Sequence, residues 1–226
     1  MSRRSLHLLL LAPLLAAGCA TDNKLVVSDL DTARLPEGTV EQWQDEQLEV
    51  IQARDEVARA ELAVDDAKRE LEVAEAEVKV ADAEIDQAQK QLEAAQRARD
   101  DQATQGAEQQ LEYSREKKRV AESHVQAQRR QVELAETRQE LAESRQQLAQ
   151  LRLNQAKLQA LQEANDPAAQ NYSAQDFDKA IAEQQQRLSQ LRTEVESQQG
   201  EYTRARDEWQ RQLQQLEANA PSTPAG

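Results

Sequence analysis

From Trp43 onward an apolar residue returns at every seventh position: Trp43, Val50, Val57, Val64, Leu71, Val78, Ile85 and Leu92. Ala53, Ala60, Ala67, Ala74, Ala81, Ala88 and Ala95 stand three places after each of these from Val50. Few patterns leave a chain less choice. Spacings of three and four place both sets on one stripe of an α-helix, and a repeat sustained over this many heptads demands another helix to cover the stripe. Alanine at every second seam position removes bulk, so that helix can come close. Composition agrees: charged residues make up 31% and aromatics only 3% of 226 residues, too few large apolar side chains for a rounded mixed or all-β domain. The remainder is mostly Ala, Gln, Glu, Arg and Leu, which favour helix. The fold class expected is all-α, an elongated antiparallel helical coiled coil of three long helices.

The first helix is expected over 40–104, opened by Thr39 as N-cap with Gln42 three places on. Its seam fails at Arg99, Gln102 and Gly106, which marks a turn at Gly106. The second helix, 107–165, carries two stripes: Leu111, Val125, Val132 and Leu153 with Ala121, Ala135 and Ala149, and beside them Leu134, Leu141, Leu148, Leu151 and Leu158. Two stripes call for two neighbouring helices. An antiparallel register centred between Gly106 and Ala107 sets Val78 against Ala135 and Val64 against Ala149. The alternative is one very long helix with only the C-terminal helix folded back, because the first seam's phase also continues through Val120, Leu134 and Leu148. Asn165-Asp166-Pro167 breaks the second helix. A third, 173–218, starts with Ser173 as N-cap, Asp176 at N3 and Tyr172 stapled to Phe177. Its seam runs Phe177, Ile181, Leu188, Leu191, Val195, Tyr202, Trp209, Leu216, and a tail follows over 219–226.

The amino-terminal residues read differently. Arg3 and Arg4 precede the apolar run Leu8 to Ala17 and then small residues, the order of an export signal. The run is about half of the roughly 20 residues a membrane-spanning helix needs. It ends in Leu15-Ala16-Ala17-Gly18-Cys19, which resembles the lipobox of bacterial lipoprotein precursors. The resemblance covers 1–20 alone, and the rest matches no specific family. It implies a signal peptide over 1–18, cleavage between Gly18 and Cys19, acylation of Cys19, and a lipidated tether over 19–39. Ala16 stands where that family prefers Leu. By the family's sorting habit, Ala20 after the cysteine implies the outer membrane, facing the periplasm.

The chemistry left to the mature chain is sparse. Cys19 is the only cysteine, and His124 the only histidine beyond the signal, so no metal site of the His and Cys kind and no cofactor is expected. Neighbouring acids such as Asp65 and Asp66 point about 100° apart on a helix and do not converge. No phosphate-binding loop or nucleophile constellation is present, and no enzyme is expected. The net charge of −14, or −16 once Arg3 and Arg4 leave with the signal, disfavours nucleic acid. One basic concentration stands out: Arg115, Lys117, Lys118 and Arg119 with Arg129 and Arg130. It reads either as a solvated face paired with acidic neighbours or as a partner-binding patch.

These features lead to an expectation of a lipid-anchored envelope protein acting as a structural spacer, scaffold or partner-binding protein. Its partners would be the membrane through Cys19, and another envelope protein or a second copy through the coiled coil. Two alternatives stay open. The stretch at Gly106-Ala107 is similar to the hairpin tip of periplasmic adaptors of efflux and secretion systems, though Leu111 comes early for that motif and the adaptors' flanking domains have no counterpart here. The other is a cell-wall-binding module.

Overall fold

A computed structural model describes residues 25–36 and 38–220. Among these residues the chain is all-α, with the elements α1 (Asp29–Thr32), α2 (Gln44–Ala98), α3 (Asp101–Glu163) and α4 (Ala174–Ala218), and 3-10 turns at Thr39–Trp43 and Pro167–Asn171. No helix among them is long and apolar enough to cross a membrane. α3 has 63 residues and is about 95 Å long at 1.5 Å per residue.

Both heptad sets of the first seam turn inward. Trp43, Val50, Val64, Ala53, Ala67, Ala74, Ala81 and Ala88 are buried, and Val57, Ala60, Leu71, Val78, Ile85, Leu92 and Ala95 are half-buried. α3 is the middle helix, packed by α2 on one side and α4 on the other, as its two stripes require. Ala135, Ala149, Leu153 and Ala160 meet α2, whereas Leu141 and Leu148 meet Leu188 and Leu191 of α4. Being covered on two sides, α3 buries polar groups as well. Ser144 is one of them, and Gln184 of α4 donates to its hydroxyl and carbonyl oxygens at 2.7 and 2.8 Å.

The turn between α2 and α3 is not at Gly106. The chain reverses at Arg99-Asp100, and Gly106 lies within α3. Arg99 adopts a left-handed conformation, φ 57°. The Asp100 N–H donates to Ala95 O and the Arg99 N–H to Gln96 O, the paired bonds of a Schellman termination. Asp100 then caps α3 by accepting from the Ala103 N–H at 2.9 Å. With the turn displaced, the register slides by eleven residues: Ala135 packs against Ala67, not Val78, and Ala149 against Ala53, not Val64.

The physical reason lies in a ladder along the seam's edge. Glu84 takes Lys117 at 2.6 Å, Glu77 takes His124 at 2.8 Å, Glu70 takes Gln131 at 2.9 Å, Glu56 takes Arg145 at 3.0 Å and Glu49 takes Arg152 at 3.5 Å. Both columns step by sevens, so one register satisfies all five pairs. The register centred on Gly106 would part them by about 16 Å.

Two further boundaries differ from the sequence expectation. Thr39 does not cap a helix through Gln42. Gly38, at φ 97°, precedes the 3-10 turn Thr39–Trp43, and the Thr39 hydroxyl donates to Pro36 O. The stretch expected as a tether is in part docked, as described below. Ser173 does cap α4, accepting from the Asp176 N–H at 3.2 Å, and Tyr172 packs in one cluster with Phe177.

Candidate functional site

The end of the bundle formed by the start of α2, the end of α3 and the start of α4 carries a strap made by residues 25–32. Val27 is buried against Leu158, Leu161 and Phe177. Its N–H donates to Asn154 Oδ1 at 2.9 Å, and Asn154 donates in turn to Gln150 O. The Ser28 N–H donates to the Tyr172 oxygen at 3.1 Å, and the Tyr172 hydroxyl donates to Asp31 Oδ2 at 2.7 Å. Lys157, buried to 9% exposure, reaches Asp29 Oδ1 at 2.6 Å. The Tyr172 phenol is held above its ordinary value. The Ser28 N–H that it accepts opposes this, but burial, the hydrogen bond to Asp31 and the charge of Asp31 together outweigh it. Asn154 and Lys157 were not singled out from the sequence, since a buried polar residue on a helix of this composition looks like any exposed one, and Tyr172 was read only as the staple on Phe177.

Gly18 and Cys19, the expected cleavage and lipidation residues, lie outside the described residues. Leu25, where description begins, is six residues beyond Cys19.

No family model, curated protein or solved structure matches this chain.

The basic concentration is brought together, but with acidic partners. Lys117 binds Glu84, and Lys118 binds Asp82 at 2.7 Å and Glu122 at 3.7 Å. Arg115 and Arg119 share Glu112, with Glu116 also on Arg119. Arg129 binds Glu75, and Arg130 binds Glu133 and Glu201. The hydrogen bond to Asp82, and then its charge, raise the Lys118 pKa. The six residues therefore sit among acids of all three long helices, as internal pairs on a solvated face would.

Near the same level His124 joins the three helices. Its Nδ1 lies 2.8 Å from Glu77 of α2, its Nε2 3.1 Å from Gln128, and its ring stacks on Trp209 of α4 with centroids 4.0 Å apart. Next to this stack an apolar groove of about 530 Å³ runs between Val73 and Val80 of α2 and Trp209 and Leu213 of α4, floored by Val120 and Ala121. No group of three or more His, Cys, Asp or Glu residues able to hold a metal gathers among the described residues.

Proposed function

We propose that this chain is the precursor of a bacterial lipoprotein, anchored to the outer membrane through Cys19 and facing the periplasm. Its three long helices would form an antiparallel coiled-coil rod that spaces or scaffolds envelope components without catalysis. The strap carries the reading. It fastens the residues just after the lipobox to one end of the rod through Asn154, Tyr172 and Lys157. Six residues span at most about 21 Å, so a lipid on Cys19 holds that end at the bilayer while the Arg99-Asp100 turn stands at the other. A rod needs such a fastening to space anything, because a free twenty-residue tether would leave its direction open. Two or three acyl chains on one residue make the anchoring durable, at about 0.8 kcal/mol per buried CH₂.

The adaptor-like alternative depended on a tip at Gly106-Ala107, and those residues lie inside α3. Partners fitting the rod are another envelope protein or a second copy. Membrane fractionation of Cys19→Ser tests the anchoring: the variant is expected as uncleaved precursor or as released protein. A mature, membrane-bound product would overturn the reading.

A further inference from the structure

Outside its seam with α3, α2 carries apolar side chains that are more than half exposed among the described residues, Val73 and Val80 at the edge of the groove beside Trp209 and Leu213. Leu48, Ile51, Leu62, Val73 and Val80 are 52 to 62% exposed, and spacings of three, seven and eleven set them on one side of the helix. From Leu48 to Ala76 the stripe is symmetric about Leu62, and Val80 extends it on one side only, opposite Gln44. Ile51 and Val73 stand eleven residues to either side, and Leu48 and Ala76 fourteen. The exposed charges lie close to the same centre: Asp55 and Arg69 stand seven residues to either side of Leu62, with Arg59 three before it and Asp66 four after.

We propose that this face is the interface between two copies of the chain, joined by a two-fold axis at Leu62 with their α2 helices antiparallel. Leu62 then meets its own mate, Ile51 meets Val73 and Leu48 meets Ala76. Asp55 comes opposite Arg69, and Arg59 comes within one residue, about 1.5 Å along the axis, of Asp66. A parallel pair would instead set Asp55, Arg59, Asp66 and Arg69 each against its own copy, four like-charge contacts that oppose pairing. A face whose charges complement themselves only in the antiparallel sense commits to a second copy in that orientation. Arg69, which binds Asp66 within one copy, exchanges this for Asp55 of the other.

The stripe is about 48 Å long and a helix roughly 10 Å wide, or about 500 Å² for each copy. This reaches the lower bound of roughly 1,000 Å² total for a specific interface, so the dimer is reversible and the monomer folds without it. If Cys19 is lipidated as proposed above, the two anchors point to opposite ends, with the α2 starts about 54 Å apart. The pair then lies flat on one membrane or joins two facing ones.

Cysteine crosslinking of the full chain in mild detergent tests the geometry, with the parent chain as control for Cys19. Leu62→Cys is expected to give a disulfide dimer by itself. Ile51→Cys and Val73→Cys should each fail alone and crosslink when mixed, because each faces the other. Arg69→Asp should weaken dimerisation measured by sedimentation by about tenfold, and adding Asp55→Arg should restore it. Helical circular dichroism should stay unchanged throughout, since all these side chains are exposed. Self-crosslinking of Ile51→Cys, a monomer at all concentrations, or binding of the stripe to lipid vesicles in place of a second copy would overturn the proposal. None of these outcomes depends on whether Cys19 is acylated.

Discussion

Arg99 occupies a backbone conformation that disfavours any side chain, at about 1–2 kcal/mol, and stands where helices usually end in glycine. Its replacement by Gly is expected to stabilise the protein by about 0.5–1 kcal/mol, the strain relieved exceeding the extra chain entropy lost. Asp100→Ala removes the acceptor for the Ala103 N–H and should cost about 1 kcal/mol. Urea unfolding checks both; a destabilised Arg99→Gly would mean that the arginine side chain contributes more than its strain costs. The two residues show what was legible at this scale. Ser173 could be recognised as a cap because polar and apolar neighbours flank it in the usual order. Arg99 could not be recognised as a turn residue, because left-handed arginine has no sequence signature and Gly106 offered a more familiar one.

At the scale of elements, the strap of residues 25–32 buries one side chain of its own, Val27, and is otherwise held by a few hydrogen bonds and one ion pair, which favours local opening. Asn154→Ala leaves the Val27 N–H buried without an acceptor, a loss of about 1–3 kcal/mol. The strap should open roughly tenfold more often, read as faster trypsin cleavage after Arg34 with the helical signal unchanged. Unchanged cleavage would show that Asn154 does not hold it. The strap also carries a pH dependence. The phenol of Tyr172 is raised above its ordinary value near 10, so the folded state favours the protonated form. Its contribution is complete below about pH 10 and is lost as pH rises through the higher folded value. The ultraviolet titration of the protein minus that of Tyr172→Phe should show one phenol ionising above 10; ionisation at 10 or below would exclude the enclosed geometry. The sequence pattern marked helices well, since each long one carries its own periodic stripe. The strap escaped it because a segment of four to eight residues has no period, and its partners Asn154 and Tyr172 are more than a hundred residues away.

For the whole molecule the decisive quantity is the register between α2 and α3. Cysteines at Ala67 and Ala135 in a Cys19→Ser background should form an intramolecular disulfide, whose Cα atoms must come within about 7 Å. Val78 and Ala135, the pair implied by a turn at Gly106, lie eleven residues, roughly 16 Å, out of step and should not close one. Non-reducing electrophoresis separates the two outcomes, and a disulfide at Val78 alone would reverse the register described here.

Periodicity determined that this chain is all-α, that its first long helix presents a valine and alanine seam and that the stretch after it carries two apolar stripes, and the cap at Ser173 marked where the last helix begins. These follow from spacing along a single helix, which the residue order contains in full. Where the chain turns, which layers face each other and which end the strap closes depend on side chains meeting from distant parts of the chain. Every heptad shift offers the apolar stripes a similar seam. The charged ladder from Glu49–Arg152 to Glu84–Lys117 has the same seven-residue period, so it excludes the eleven-residue slide to a turn at Gly106 and leaves the choice among heptad shifts to the Arg99-Asp100 turn, once the two helices lie side by side.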